Sequence, residues 1–303
     1  MARKRGDTGH RFGGDWTARK LDVLAKYLAS YTTALKNTPF EKLYIDAFAG
    51  TGYRDAQRRE DEAGATPQEL LLPDLAEPEP QTLLAGSARR ALTTDPPFGR
   101  YVFIERSPER CAQLGALRTE FPTLATNIEI RQGDANAEIQ ALCSADWRSR
   151  RGVLFLDPYG MQVEWTTIEA IAHTQAIDLW VLFPLGMGVN RLLTKSGEIP
   201  ESWRRRLDLL LGTKDWYDEF YQVETTPTLF GGDQEHVIKA SMGTIGRYFN
   251  QRLKSVFVGV AEQPAVLRNS RNNPLYLLCF AVGNARGKDI ALRIANHLLR
   301  EVS

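Results

Sequence analysis

Apolar residues recur along this chain with two different periods, and the switches between them mark its elements. From Asp15 onward, Leu21, Leu24, Tyr27, Leu28 and Tyr31 follow an i, i+3, i+4 pattern. That is the signature of an amphipathic helix, which Asp15 can cap and Asn37-Thr38-Pro39 ends. A buried strand over 42–48 then runs into the glycine turn Ala49-Gly50-Thr51-Gly52. Downstream, the pattern predicts helices over 88–92, 108–121, 135–143 and 165–173. Strands are expected between them over 101–105, 128–132, 153–156 and 177–184. Strand–helix alternation of this kind predicts a doubly wound α/β domain with a mostly parallel sheet. After residue 190 the rhythm breaks. Residues 190–250 read as a mostly helical insertion between core strands. Runs over 255–260 and 275–282, separated by only a loop, predict a C-terminal antiparallel hairpin, because parallel strands need a long crossover. A last helix is expected over 288–299. The whole chain, 1–303, reads as one domain with a flexible basic arm over 1–14. An acidic, proline-bearing insertion over 53–85, with Asp55, Glu60, Asp61, Glu62 and Glu77, has the character of a lid.

Composition narrows the class. With 43% hydrophobic residues in 303, the chain can build a large core, so global disorder is excluded. No apolar run reaches the roughly 20 residues of a membrane span, and the basic N-terminus leads into no apolar segment of a secretory signal. Cys111, Cys143 and Cys279 lie far apart with no CxxC pair, which argues against a disulfide framework and against a metal site. A soluble, cytoplasmic protein is the expectation. The net charge of +1 gives no argument for a polyanion partner. It sums the acidic insertion with basic clusters at Arg3-Lys4-Arg5, Arg148 to Arg151 and Arg204-Arg205-Arg206, which fit phosphate contacts or merely solvated faces.

Four features fall at the C-terminal ends of successive expected strands, where open α/β sheets bind ligands. The first is Asp46-Ala47-Phe48-Ala49-Gly50-Thr51-Gly52, whose glycines let backbone approach a ligand closely. Lacking a third glycine and an immediate helix, it fits the dinucleotide fingerprint poorly. The second is Glu105, placed to accept from both hydroxyls of a ribose. The third is Gly133-Asp134-Ala135, where a carboxylate can take an adenine amino group. The fourth is Asp157-Pro158-Tyr159-Gly160, after the most apolar strand. Any one of these is more often a plain turn or a solvated acid. Four in order, with a closing hairpin, match the seven-stranded sheet of class I S-adenosylmethionine-dependent methyltransferases. In that scheme Asp46, Phe48, Gly50, Gly52, Glu105, Asp134, Ala135 and Asp157 surround the cofactor. Lys20, on the first helix, fits a place near that cofactor or a place on the surface.

The segments from Trp16 to Tyr31, Tyr44 to Gly52, Gly86 to Leu92, Phe155 to Gly160 and Asn273 to Asn284 resemble the three-Cys-motif partner protein family, TcmP. The likeness covers nearly the whole chain. It implies a methyltransferase-like fold, a bacterial or phage setting, and a separate partner that is radical-S-adenosylmethionine-like and carries three cysteines. Asp157-Pro158-Tyr159 further resembles the Asp-Pro-Pro-Tyr motif of methyltransferases acting on an exocyclic amino group of adenine or cytosine in DNA or RNA. By that likeness Asp157 and the Pro158 carbonyl accept from the target NH2, and Tyr159 stacks on the base. The second proline is missing, so the segment fits equally a β-turn closing the strand. Three outcomes stay open: nucleobase methylation, methylation of a peptide or small molecule, or a methyltransferase-like scaffold for the three-cysteine partner.

Overall fold

The computed structural model describes residues 15–49, 86–158, 160–227 and 233–302. Helix α1 (Asp15–Ala34) leads into β1 (Glu41–Asp46), and α2 (Gly86–Leu92) precedes β2 (Arg100–Glu105). The chain continues through α3 (Pro108–Gly115), β3 (Ile128–Gln132), α4 (Ala135–Cys143), β4 (Arg150–Leu156), α5 (Trp165–His173) and β5 (Ile177–Phe183). Among the described residues eight strands form one sheet in the order β3-β2-β1-β4-β5-β10-β8, with β9 also on β10. The first five are mutually parallel. β10 (Pro274–Val282) runs antiparallel to β5, to β8 (Gly259–Val260) and to β9 (Ala265–Arg268). A parallel sheet closed by one inverted strand between β5 and β8 is the class I methyltransferase architecture, as the strand–helix rhythm predicted. Parallel strands are buried on both faces, and here Val153 to Leu156 and Ile177 to Phe183 have almost no exposure. None of the described helices is long and apolar enough to cross a membrane.

Several expectations need correction. The single helix expected over 108–121 breaks at Ala116, resumes over Leu117–Glu120 and gives way to a 3-10 turn, Pro122–Asn127. Gly115 weakens the first segment, and Pro122 cannot continue the second. The stretch 190–250 holds α6 (Glu201–Leu211) and α7 (Trp216–Phe220), then a separate hairpin of β6 (Tyr221–Pro227) and β7 (Asp233–Lys239) that was not expected. The strand expected over 255–260 is mostly helix: α8 (Met242–Val256) runs through it, leaving only Gly259 and Val260 to pair with Val282 and Ala281. Helix α9 (Lys288–Val302) closes the chain.

Helix α1 lies across one face of the sheet and is fastened near both edges. Leu24, Tyr27 and Leu28 are buried beneath it. The Tyr27 hydroxyl donates to Asp178 Oδ2 at 2.7 Å, and the Tyr31 hydroxyl donates to the Gly152 carbonyl at 3.2 Å. Asp178 sits inside β5, and its other oxygen accepts the Gly283 amide at 3.1 Å. Burial pushes its carboxyl up to about 6, with the Tyr27 hydroxyl and the Gly283 amide opposing part of the rise.

Candidate functional site

Parallel pairing brings the predicted acids to one edge of the sheet. Asp46 ends β1 level with Phe103 of β2 and Phe155 of β4. Glu105 and Asp157 therefore stand two residues further along their strands, roughly 7 Å beyond Asp46 at the usual rise. Asp134 follows β3, whose last residue, Gln132, pairs with Glu105.

Each acid is held differently. Asp46 is wholly buried. Its Oδ2 accepts from the Tyr44 hydroxyl at 3.2 Å, while Oδ1 has no hydrogen-bond partner among the described residues. Burial raises its carboxyl to about 6; the Ser87 hydroxyl opposes this, the negative charge of Asp157 adds to it, and Tyr44 opposes it. Glu105 is nearly buried. The Ser107 amide fixes its Oε1 at 2.8 Å with Arg110 Nη1 3.8 Å away, and Oε2 carries no hydrogen bond among the described residues. That is the disposition a ribose diol requires: one oxygen pinned, the other offered. Asp134 is exposed and caps α4, its Oδ1 accepting the amides of Asn136 and Ala137 at 3.0 and 3.1 Å. The cap fixes the carboxylate's direction, and Ala135 beside it is buried. Phe48 is partly buried against the core behind β1. Gly50, Gly52 and Tyr159 lie outside the described residues, as do the expected arm and acidic lid.

The principal feature that sequence reasoning left undecided is Lys20. It is 2% exposed, and its ammonium donates to Asp157 Oδ2 at 2.5 Å, with Asp157 22% exposed. The ammonium also lies 4.8 Å from the ring centroid of Trp16, whose indole stacks on Tyr276 at 5.3 Å. The signal was present in the helical pattern: Lys20 stands four residues before Leu24 and seven before Tyr27, on the apolar stripe rather than the solvent face. A buried ammonium needs a counter-charge, and Asp157 supplies it. Pro158 is buried beside it and Gly160 takes φ +132°, a conformation suited to glycine. The segment is thus a turn closing β4 and a platform for a charged pair at once.

A donor set of this kind fits an adenosine bearing two ribose hydroxyls and an amino group: a free oxygen on Glu105, a directed carboxylate on Asp134, and an orphaned buried oxygen on Asp46. No protein-family model matches the chain, and no curated protein matches it. Among solved structures, it is similar to an S-adenosylmethionine-dependent methyltransferase from Clostridium acetobutylicum, with 11% identity and a TM-score of 0.37 over 87% of this chain and 92% of that one. A Legionella pneumophila protein gives 14% identity and a TM-score of 0.36 over 80% and 94%. Magnesium protoporphyrin IX methyltransferase from Synechocystis, solved with S-adenosylhomocysteine, gives 11% and 0.31 over 79% and 90%.

Proposed function

We propose that the chain is an S-adenosylmethionine-dependent methyltransferase whose acceptor is an exocyclic amino group of a nucleobase in DNA or RNA. The observation that carries this reading is the convergence of Asp46, Glu105, Asp134 and Asp157-Pro158 on one edge of a sheet with class I strand order. Glu105 would hold the ribose and Asp134 the adenine amino group. Bound S-adenosylmethionine supplies a methyl group on a sulfonium, open to in-line attack. What this chain adds is placement: Asp157 and the Pro158 carbonyl accept from the two N–H bonds of the amine, leaving its lone pair directed outward. Positioning of this kind supplies much of the rate in displacement reactions. The TcmP resemblance rests on the motifs quoted above.

One observation favours a second reading. Asp157 is already engaged by Lys20, so the chain could instead serve as a methyltransferase-like scaffold for a three-cysteine partner. The test is transfer of tritiated methyl to nucleic acid by the isolated full-length protein, with Asp157→Asn as the control. The proposal expects transfer by the wild type and none by the variant, at unchanged cofactor affinity. Calorimetric binding of the cofactor without methyl transfer to any nucleic acid would overturn the nucleobase reading. Asn is preferred to Ala, because removing the carboxylate outright strands the Lys20 ammonium, at about 3–5 kcal/mol for a buried pair.

A further inference from the structure

Resting on the methyltransferase reading, we infer that Lys20 is a positioning residue for Asp157 and that its charge makes the acceptor site select an uncharged amino group over a lysine or arginine side chain. The backbone of Lys20 is fixed from two directions. One turn before it, Trp16 is buried against Tyr276. Seven residues after it, about 10 Å along the helix, Tyr27 is tied to Asp178 at the opposite edge of the sheet. At 2% exposure the ammonium has no route to water, so it sets where the Asp157 carboxylate points.

The selection follows from charge. A carboxylate has about four acceptor positions, and the Lys20 bond takes one on Oδ2. Capacity remains for a neutral N–H donor. The net attraction that a guanidinium or a second ammonium would need is already satisfied, and Lys20 repels such a group at short range. The charged and titratable groups that face Asp157 among the described residues are Lys20 from α1 and Asp46 and Tyr44 from β1. Since Asp46 titrates near 6, a second full negative charge beside Asp157 is present only above that pH.

The test uses the full chain as wild type, Lys20→Met and Lys20→Arg. Two readouts are taken: the titration of the Asp46 and Asp157 side-chain carboxyls by carbon NMR, and the pH–rate profile of methyl transfer. The acceptors are a single-stranded oligonucleotide of adenine and cytosine, and a peptide rich in lysine and arginine. The wild type should methylate the oligonucleotide and leave the peptide unmodified. Lys20→Met should lose about tenfold or more in kcat, a cost typical of a misplaced reacting group, with cofactor affinity within twofold. Its two carboxyls, left facing each other without a cation, should take up their first proton at higher pH than in the wild type, moving the acidic limb of the rate profile with them. Lys20→Arg, which keeps the charge, should leave that limb in place. An unmoved carboxyl titration in Lys20→Met, or a limb displaced in Lys20→Arg, overturns the positioning role. Methylation of the peptide in preference to the oligonucleotide overturns the selection and leaves cofactor chemistry standing. Methyl transfer to neither overturns the nucleobase reading and the selection together, while the carboxyl titration still decides what Lys20 does.

Discussion

Replacing Tyr27 with Phe removes one oxygen from a buried contact and should destabilise the protein in a pH-dependent way. The hydroxyl donates at 2.7 Å to a carboxylate that is closed to water. Only the Gly283 amide then remains as a printed donor to Asp178. A hydrogen bond to a charged group contributes about 1.5–3 kcal/mol, a neutral one about 1 kcal/mol. Asp178 decides which figure applies. Its folded carboxyl titrates near 6 against an ordinary value of 3.8. The native state therefore holds an extra proton between those values, and ionising Asp178 lowers stability as pH rises through that window. Losing the Tyr27 donor raises the folded value further and deepens that loss. At pH 8 the variant should be about 2 kcal/mol less stable than wild type, and at pH 5, where the carboxyl is protonated, about 1 kcal/mol less. For a chain of 303 residues, 2 kcal/mol corresponds to roughly 3 °C in Tm. Urea unfolding at the two pH values measures both numbers. An equal loss at pH 5 and pH 8, or no loss at either, would refute the assignment of a buried Tyr27–Asp178 anchor.

Further substitutions separate structural from ligand roles. Asp134→Ala should cost about 1 kcal/mol through the lost cap on α4, whereas Asp134→Ser should restore that stability in thermal unfolding and still bind S-adenosylhomocysteine more weakly than wild type. Gly212 ends α6 at φ +68°, and a Cβ there would come 2.1 Å from Cδ1 of Trp165. Gly212→Ala should therefore lose about 2 kcal/mol or more. Gly212→Asn should be no better, because Asn tolerates the backbone conformation but not the collision. Arg148 and Asp146 form an ion pair in which both side chains are largely exposed, and Arg148→Ala should leave the urea midpoint unchanged.

What the sequence disclosed and what it withheld divide along physical lines. The core strands were legible because a parallel strand buried on both faces is a continuous apolar run, and the acids at their ends stood out against it. The β6–β7 hairpin was not legible, because it packs no apolar face inward. Val223, Val237 and Ile238 on it are exposed, and the aromatic helix α7 runs into it without a break in composition. Asp178 was passed over inside an apolar run, although a lone acid there is itself a signal that a buried donor must exist. Lys20 sat on the apolar stripe of α1, yet only the fold brings it beside Asp157, 137 residues away. The pairing of a helix residue with a strand end is a long-range contact, and periodicity carries no information about it.

The central claim is that the acidic edge formed by β1 to β4 is a nucleoside-binding site of the methyltransferase kind. Isothermal titration of the full-length protein with S-adenosylhomocysteine tests it most directly, with Glu105→Gln alongside. The account predicts one-to-one binding by the wild type. It also predicts about tenfold weaker binding by the variant, equivalent to roughly 1.4 kcal/mol for a charge-assisted hydrogen bond made neutral, at unchanged thermal stability. No binding of S-adenosylhomocysteine or S-adenosylmethionine by the folded wild-type protein, or binding that Glu105→Gln leaves untouched, would contradict it.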